Sequence, residues 1–174
     1  MNRRNFILGA FAATAVFATP IAAQESRINE QLMLEYVGWI VSNSDFEYQG
    51  EELPSITFLD TVDLQKMQYS EERFAELTQT GASLPEIVAL YDRHQNQILF
   101  NTNLDFDTWK NDHVIVHELV HYLQMVNQTP YNCSLELEPE AYALQIQWQD
   151  EVGHPGERPD AMQLLMLNIG CSAL

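Results

Sequence analysis

The sequence predicts an α+β fold, in which a small antiparallel sheet packs on one central helix and a second, acidic helix follows it. Three observations lead there. Apolar residues recur at helical spacing in several separate stretches, the strand-like patterns are short and clustered in the first two thirds, and helices alone fill the last third. Hydrophobic residues make up 46% of 174, enough for a core in a single domain.

Ile28, Leu32, Val37, Ile40 and Val41 repeat at helical spacing, so residues 28–41 read as an amphipathic helix. Asn43 to Glu52 is polar and turn-rich. Ser55-Ile56-Thr57-Phe58-Leu59 alternates after Pro54, as an edge strand does. Ser70 to Thr80 reads as a short helix ending at Gly81. Ile87-Val88-Ala89-Leu90-Tyr91 and Ile98-Leu99-Phe100, separated by polar residues, form a β-hairpin pattern. Asp107 is placed to cap a helix reaching Val126, and this helix carries Val114, Ile115, Val116, Leu119, Val120, Leu123 and Val126. A second helix is expected from about Leu135 to Val152. A loop with Gly153, Pro155, Gly156 and Pro159 follows, then a last helix from Asp160 to Ile169.

The N-terminus is set apart from this core. Arg3-Arg4 precedes an Ala-rich apolar run from Gly9 to Ala18, Pro20 breaks it, and Ile21-Ala22-Ala23 precedes Gln24. That is a basic region, an apolar region and a small-residue cleavage site, so residues 1–23 read as a signal peptide and residues 24–174 as one domain. The run is too short for an ordinary membrane span. Arg-Arg-Asn-Phe-Ile also resembles a twin-arginine export signal. The expected location is periplasmic or secreted.

Net charge is −17, and loss of residues 1–23 with both arginines brings it to −19. Such a surface repels nucleic acid and anionic lipid, so neither is expected as a partner, and no stable membrane association is expected after cleavage. The two cysteines, Cys133 and Cys171, read as a disulfide in an oxidising compartment. The bridge would close a loop of about 38 residues and contribute roughly 4 kcal/mol in the chain-entropy picture.

The chemistry is concentrated in His117-Glu118-Leu119-Val120-His121. On a helix, residues four apart share a face, so both imidazoles can reach one Zn²⁺ at about 2.0–2.1 Å. Glu118 beside them can hold a carboxylate near the attacking water, as a general base does. An apolar helix is a costly place for unpaired imidazoles and a carboxylate, which argues against coincidence. A third ligand is needed, and Glu136, Glu138 and Glu140 are at hand. With about 100° per residue, Glu138 falls on the shoulder of the stripe Leu137, Ala141, Leu144, Trp148, near Tyr142 and Gln145. Glu140 falls with Glu136, Gln147 and Glu151 on an acidic face. Phase favours Glu138, with Glu140 as the alternate.

His117 to Gln124, followed by Glu138-Pro139-Glu140-Ala141-Tyr142, resembles the gluzincin zinc metallopeptidases. Several of those families carry a ligand Glu, two variable residues and then Ala. Glu138 with Ala141 and Glu140 with Ala143 both fit that spacing. With Gly38-Trp39-Ile40-Val41, Val88 to Asp92, Cys133 and the stretch to Trp148, the chain also resembles a family of exported bacterial proteins of unknown function. The resemblance implies a minimal gluzincin-like fold with Zn²⁺ as cofactor and names no substrate. One departure stands out. Many gluzincins place Asp or Asn just after the Ala to bond the first His, whereas Tyr142 or Leu144 stands there here, so the ligands must be oriented by other groups.

The expected function is an exported zinc-dependent hydrolase acting on a peptide or protein substrate. His117, His121 and Glu138 would hold the metal, with Glu118 as base. The strand Ile98-Leu99-Phe100 is a candidate for pairing with an extended peptide. Tyr91, Tyr131 and Tyr142 are candidate oxyanion donors. His113 is a spare histidine near the motif, and His94 and His154 read as surface residues. The alternative is an exported zinc-binding module without turnover; the third reading is a metal-free structural domain. The sequence leaves oligomeric state open.

Overall fold

The structure, a computed structural model, describes residues 27–160 except 70, 82 and 155. The signal-peptide segment 1–23, Cys171 and the last expected helix beyond Asp160 lie outside the described residues. In chain order the elements are α1 (Glu30–Ser42), β1 (Ser55–Leu59), α2 (Thr61–Gln68), α3 (Glu71–Gln79), β2 (Ala89–Asp92), β3 (Gln97–Asn101), α4 (Asp112–Val126) and α5 (Glu138–Val152). Short 3₁₀ turns, Trp109–Asn111 and Ser134–Glu136, lead into the last two helices.

The fold is α+β, and α4 is its centre. Eleven of its 15 residues are buried, among them Ile115, Val116, Leu119, Val120 and Leu123. The buried positions go nearly all round this helix because α1, α5 and β2 all pack against it. Val37 and Ile40 of α1, Ile98 and Phe100 of β3, and Ala141, Leu144 and Trp148 of α5 complete the core.

The sheet has the order β1-β3-β2 and is mixed, which corrects the expected antiparallel sheet. The hairpin β2–β3 is antiparallel, with Tyr91 opposite Ile98. β1 runs parallel to β3, Ile56 opposite Ile98 and Phe58 opposite Phe100. Parallel neighbours need a crossover between them, and α2 and α3 supply part of it. β1 is an edge strand, as its Pro54 suggested. β3 is the middle strand, and Ile98, Leu99 and Phe100 are at most 2% exposed. Its backbone is paired on both sides, so it offers no edge to a peptide; among the described residues, the outer edge of β2 is the free one.

Two local expectations change. Residues 61–68 form α2, capped by Asp60, which accepts from the Asp63 N–H at 2.9 Å. The sequence hides it, because the helix has two turns and one fully buried residue, Leu64. Asp107 does not cap the motif helix: its N–H bonds Asp105, and Thr108 caps the 3₁₀ turn instead. The start of α4 is fastened by Asp112. Arg27 donates to both its oxygens, at 2.6 and 2.8 Å, and the Tyr36 hydroxyl donates at 2.5 Å, tying α1 to α4. No helix among the described residues is long and apolar enough to cross a membrane.

Candidate metal centre and cleft

The motif histidines face α5 because both helices bury one stripe against the other, and Glu138 opens α5 directly opposite them. His117 Nε2 and His121 Nε2 are 3.2 Å apart. Glu138 reaches both, Oε2 to His117 at 3.3 Å and Oε1 to His121 at 3.4 Å. One ligand atom from each residue falls within 4.8 Å of the others, so the three could hold a metal ion. Glu140 is placed elsewhere. Its carboxylate accepts from Gln124 Nε2 at 3.0 Å, on the far side of that amide from His121.

Each imidazole is aimed by a glutamine. His117 Nδ1 lies 3.0 Å from Gln145 Oε1, and His121 Nδ1 lies 2.8 Å from Gln124 Oε1. The amide orientations follow from their other ends. Gln124 Nε2 donates to the Leu137 carbonyl at 2.9 Å and to Glu140, and Gln145 Nε2 approaches the Glu157 carbonyl at 3.5 Å. Both amide oxygens are therefore acceptors, both Nδ1 atoms carry the proton, and both Nε2 atoms turn toward Glu138. These glutamines hold the two imidazoles in orientation through their Nδ1 atoms. Sequence reasoning did not find them; the available signal was amides at positions 124 and 145 on otherwise buried helix faces.

Burial and charge oppose each other across this cluster. Burial lowers the His121 pKa, but the hydrogen bond to Glu138 and the charges of Glu118 and Glu138 outweigh it and push the group up to about 9. Burial likewise raises Glu138, yet hydrogen bonds from His117 and His121 hold its carboxyl far below the ordinary range. Glu118 is fully buried, and its pKa is raised by burial against the pull of His117 and His121. The backbone N–H of Tyr91 also donates to it. In the antiparallel ladder Leu90 faces β3, so Ala89 and Tyr91 turn their backbone groups to the free edge, toward Glu118.

The cluster opens into a cavity of about 1100 Å³ between the β2 edge, α4 and α5. Tyr142 lines it, with its ring 4.5 Å from that of His117. Burial, then the charges of Glu138 and Glu118, raise its pKa, so its hydroxyl keeps its proton. The Tyr91 hydroxyl is spent on Asn96 at 3.0 Å, and that of Tyr131 accepts from Arg93. His113 lines the cavity one turn before His117; burial, then the proximity of His154, lowers its pKa to about 4. His94 lies exposed at the cavity rim. His154 is not a surface residue. It is 3% exposed, its Nδ1 accepts from the Gly156 N–H and its Nε2 donates to the Trp109 carbonyl, both at 2.8 Å. It straps the loop after α5 to the start of α4. Cys133 is disulfide-bonded, and its expected partner Cys171 is outside the described residues.

No curated protein and no solved structure matches the chain. A family model described as a domain of unknown function, DUF6647, matches residues 25–172, nearly the whole length, and the chain belongs to that family.

Proposed function

We propose that this protein is an exported zinc-dependent hydrolase of the gluzincin type that cleaves peptide bonds, with His117, His121 and Glu138 as ligands and Glu118 as general base. One observation carries the reading: the spacing of the donor atoms. Ligands bonded to zinc at 2.0–2.1 Å in a tetrahedron stand about 3.3–3.4 Å apart. The two Nε2 atoms here are 3.2 Å apart, and the two carboxylate oxygens of Glu138 lie 3.3 Å from that of His117 and 3.4 Å from that of His121, one oxygen to each. Two imidazoles and a carboxylate, with each Nδ1 proton already committed, are a donor set that suits Zn²⁺.

Zinc, when bound, would supply Lewis-acid polarisation of a carbonyl and acidify a water. The chain's own residues do the rest. Glu118 projects its carboxylate beside the three ligands, where it can take a proton from the attacking water and pass it to the leaving amine. The Tyr91 N–H fixes that carboxylate in place. The Tyr142 hydroxyl, in the cavity and without a hydrogen-bond partner among the described residues, can donate to the developing oxyanion. An extended peptide laid along the free edge of β2 could bond the backbone groups of Ala89 and the Tyr91 carbonyl.

The test compares wild type with Glu118→Gln, both loaded with zinc, on a fluorogenic peptide library. Loss of turnover by about 10²–10⁴-fold with zinc retained is expected. Equal turnover in the two would sink the mechanism. One zinc per chain with no turnover in wild type would instead favour a zinc-binding module.

A further inference from the structure

We propose that Arg93, backed by Tyr131, is the specificity residue of the cleft and binds a carboxylate of the peptide ligand; this rests on the peptide reading of the site above. The two residues come from opposite walls of the cavity. Arg93 lies in the β2–β3 turn, just beyond the strand edge that faces Glu118, and Tyr131 lies in the segment joining α4 to α5. Arg93 donates to the Tyr131 hydroxyl, and its guanidinium carbon is 5.5 Å from the ring centroid. The contact joins the walls across the cavity. A ligand reaching this place along β2 meets a guanidinium.

Both supports are tied to the rest of the fold. The turn is held by Tyr91 on Asn96 and by Asn96 Nδ2 on the Glu52 carbonyl, each at 3.0 Å. Tyr131 stands two residues before the disulfide-bonded Cys133. Placing an arginine on such a mount reduces the entropy lost when it binds.

Charge pairing makes the guanidinium available. Among the described residues, Arg27, Arg73 and Arg158 pair with Asp112, Glu76 and Asp150, whereas Arg93 has no carboxylate partner. That is unusual in a chain with 25 acidic residues and 8 basic ones. Its neighbour Asp92 is turned back to the His94 N–H at 2.9 Å. A planar guanidinium with one donor committed to a phenol keeps a fork of donors free, the arrangement that takes a carboxylate by two bonds. The carboxylate belongs either to the ligand's C-terminus or to an acidic side chain.

The experiment measures binding of three dansyl-labelled tetrapeptides to the zinc-loaded Glu118→Gln protein by fluorescence anisotropy, with and without Arg93→Gln. The peptides are tetra-alanine as free acid, tetra-alanine as C-terminal amide, and the amide with one alanine replaced by glutamate. A carboxylate-bearing peptide should bind about tenfold tighter than the plain amide, and Arg93→Gln should erase the difference while leaving zinc content unchanged. Preference for the free acid alone assigns the terminal carboxylate; preference for the glutamate peptide assigns the side chain. Equal binding of all three, no binding of any, or a preference that survives Arg93→Gln overturns the proposal. Turnover by wild type without a carboxylate preference would remove Arg93 and leave the hydrolase; carboxylate-dependent binding without turnover would do the reverse.

Discussion

At the residue scale, the centre is set by which atom each side chain can spare. Glu140 has given its carboxylate to Gln124, and Glu138 faces both imidazoles. Glu138→Ala should therefore remove zinc from the purified protein. Glu140→Ala should retain it, at an affinity lowered by no more than about tenfold through the loosened Gln124. Metal analysis after dialysis reads both, and the opposite pattern would move the third ligand. Gln145→Leu takes away the acceptor of the His117 Nδ1 proton and should weaken zinc binding by about 10–100-fold. Tyr142→Phe keeps the ring over His117 and loses only the hydroxyl. It should lower kcat by about 10²–10³-fold with KM and zinc content little changed. An effect on KM alone would make Tyr142 a binding residue.

At the scale of elements, the geometry depends on how α4 is fastened at its ends. Asp112 accepts from Arg27 and Tyr36 while it is almost fully buried, with its side chain 3% exposed. Asp112→Asn should cost about 2 kcal/mol in urea unfolding, the usual range for hydrogen bonds to a charged group. A loss smaller than about 0.5 kcal/mol would show that α1 is held by apolar packing alone. At the other side of the cleft, the loop after α5 is pinned by His154. A Cβ on Gly156 would sit 2.7 Å from Gln149 Nε2 and from the His154 ring, so Gly156→Ala should displace this loop wall. Among the described residues, the sequence reading found every strand and four of the five helices. It missed α2 because two turns with one fully buried residue carry almost no periodic signal.

At the scale of the whole molecule, the metal-free protein stores proton affinity where the metal would bind. His121 is raised from 6.5 to about 9. Its contribution to stability is therefore fully present below about pH 6.5 and lost as pH rises toward 9. Without zinc, the melting temperature should fall across that window, and zinc should remove the dependence because a ligating imidazole is unprotonated. Zinc binding near pH 7.5 should also release about one proton, seen as binding heats that change with the ionisation enthalpy of the buffer. Heats independent of buffer would contradict the protonated His121.

The sequence by itself determined the α+β class, the central apolar helix, the His117–Glu118–His121 spacing and the helical phase that puts Glu138 on the face of Tyr142 and Gln145. These are local properties, because a helix repeats its geometry from one turn to the next. Tertiary structure alone decided that β3 lies between β1 and β2 and that β2 is the free edge. It also decided that Gln124 and Gln145 aim the imidazoles and that His154 is buried. Those outcomes depend on which segments meet across sequence separations of 13 to 45 positions, as in Gln124 with Leu137 and His154 with Trp109. A periodic pattern records that a face is buried; it does not record what is buried against it.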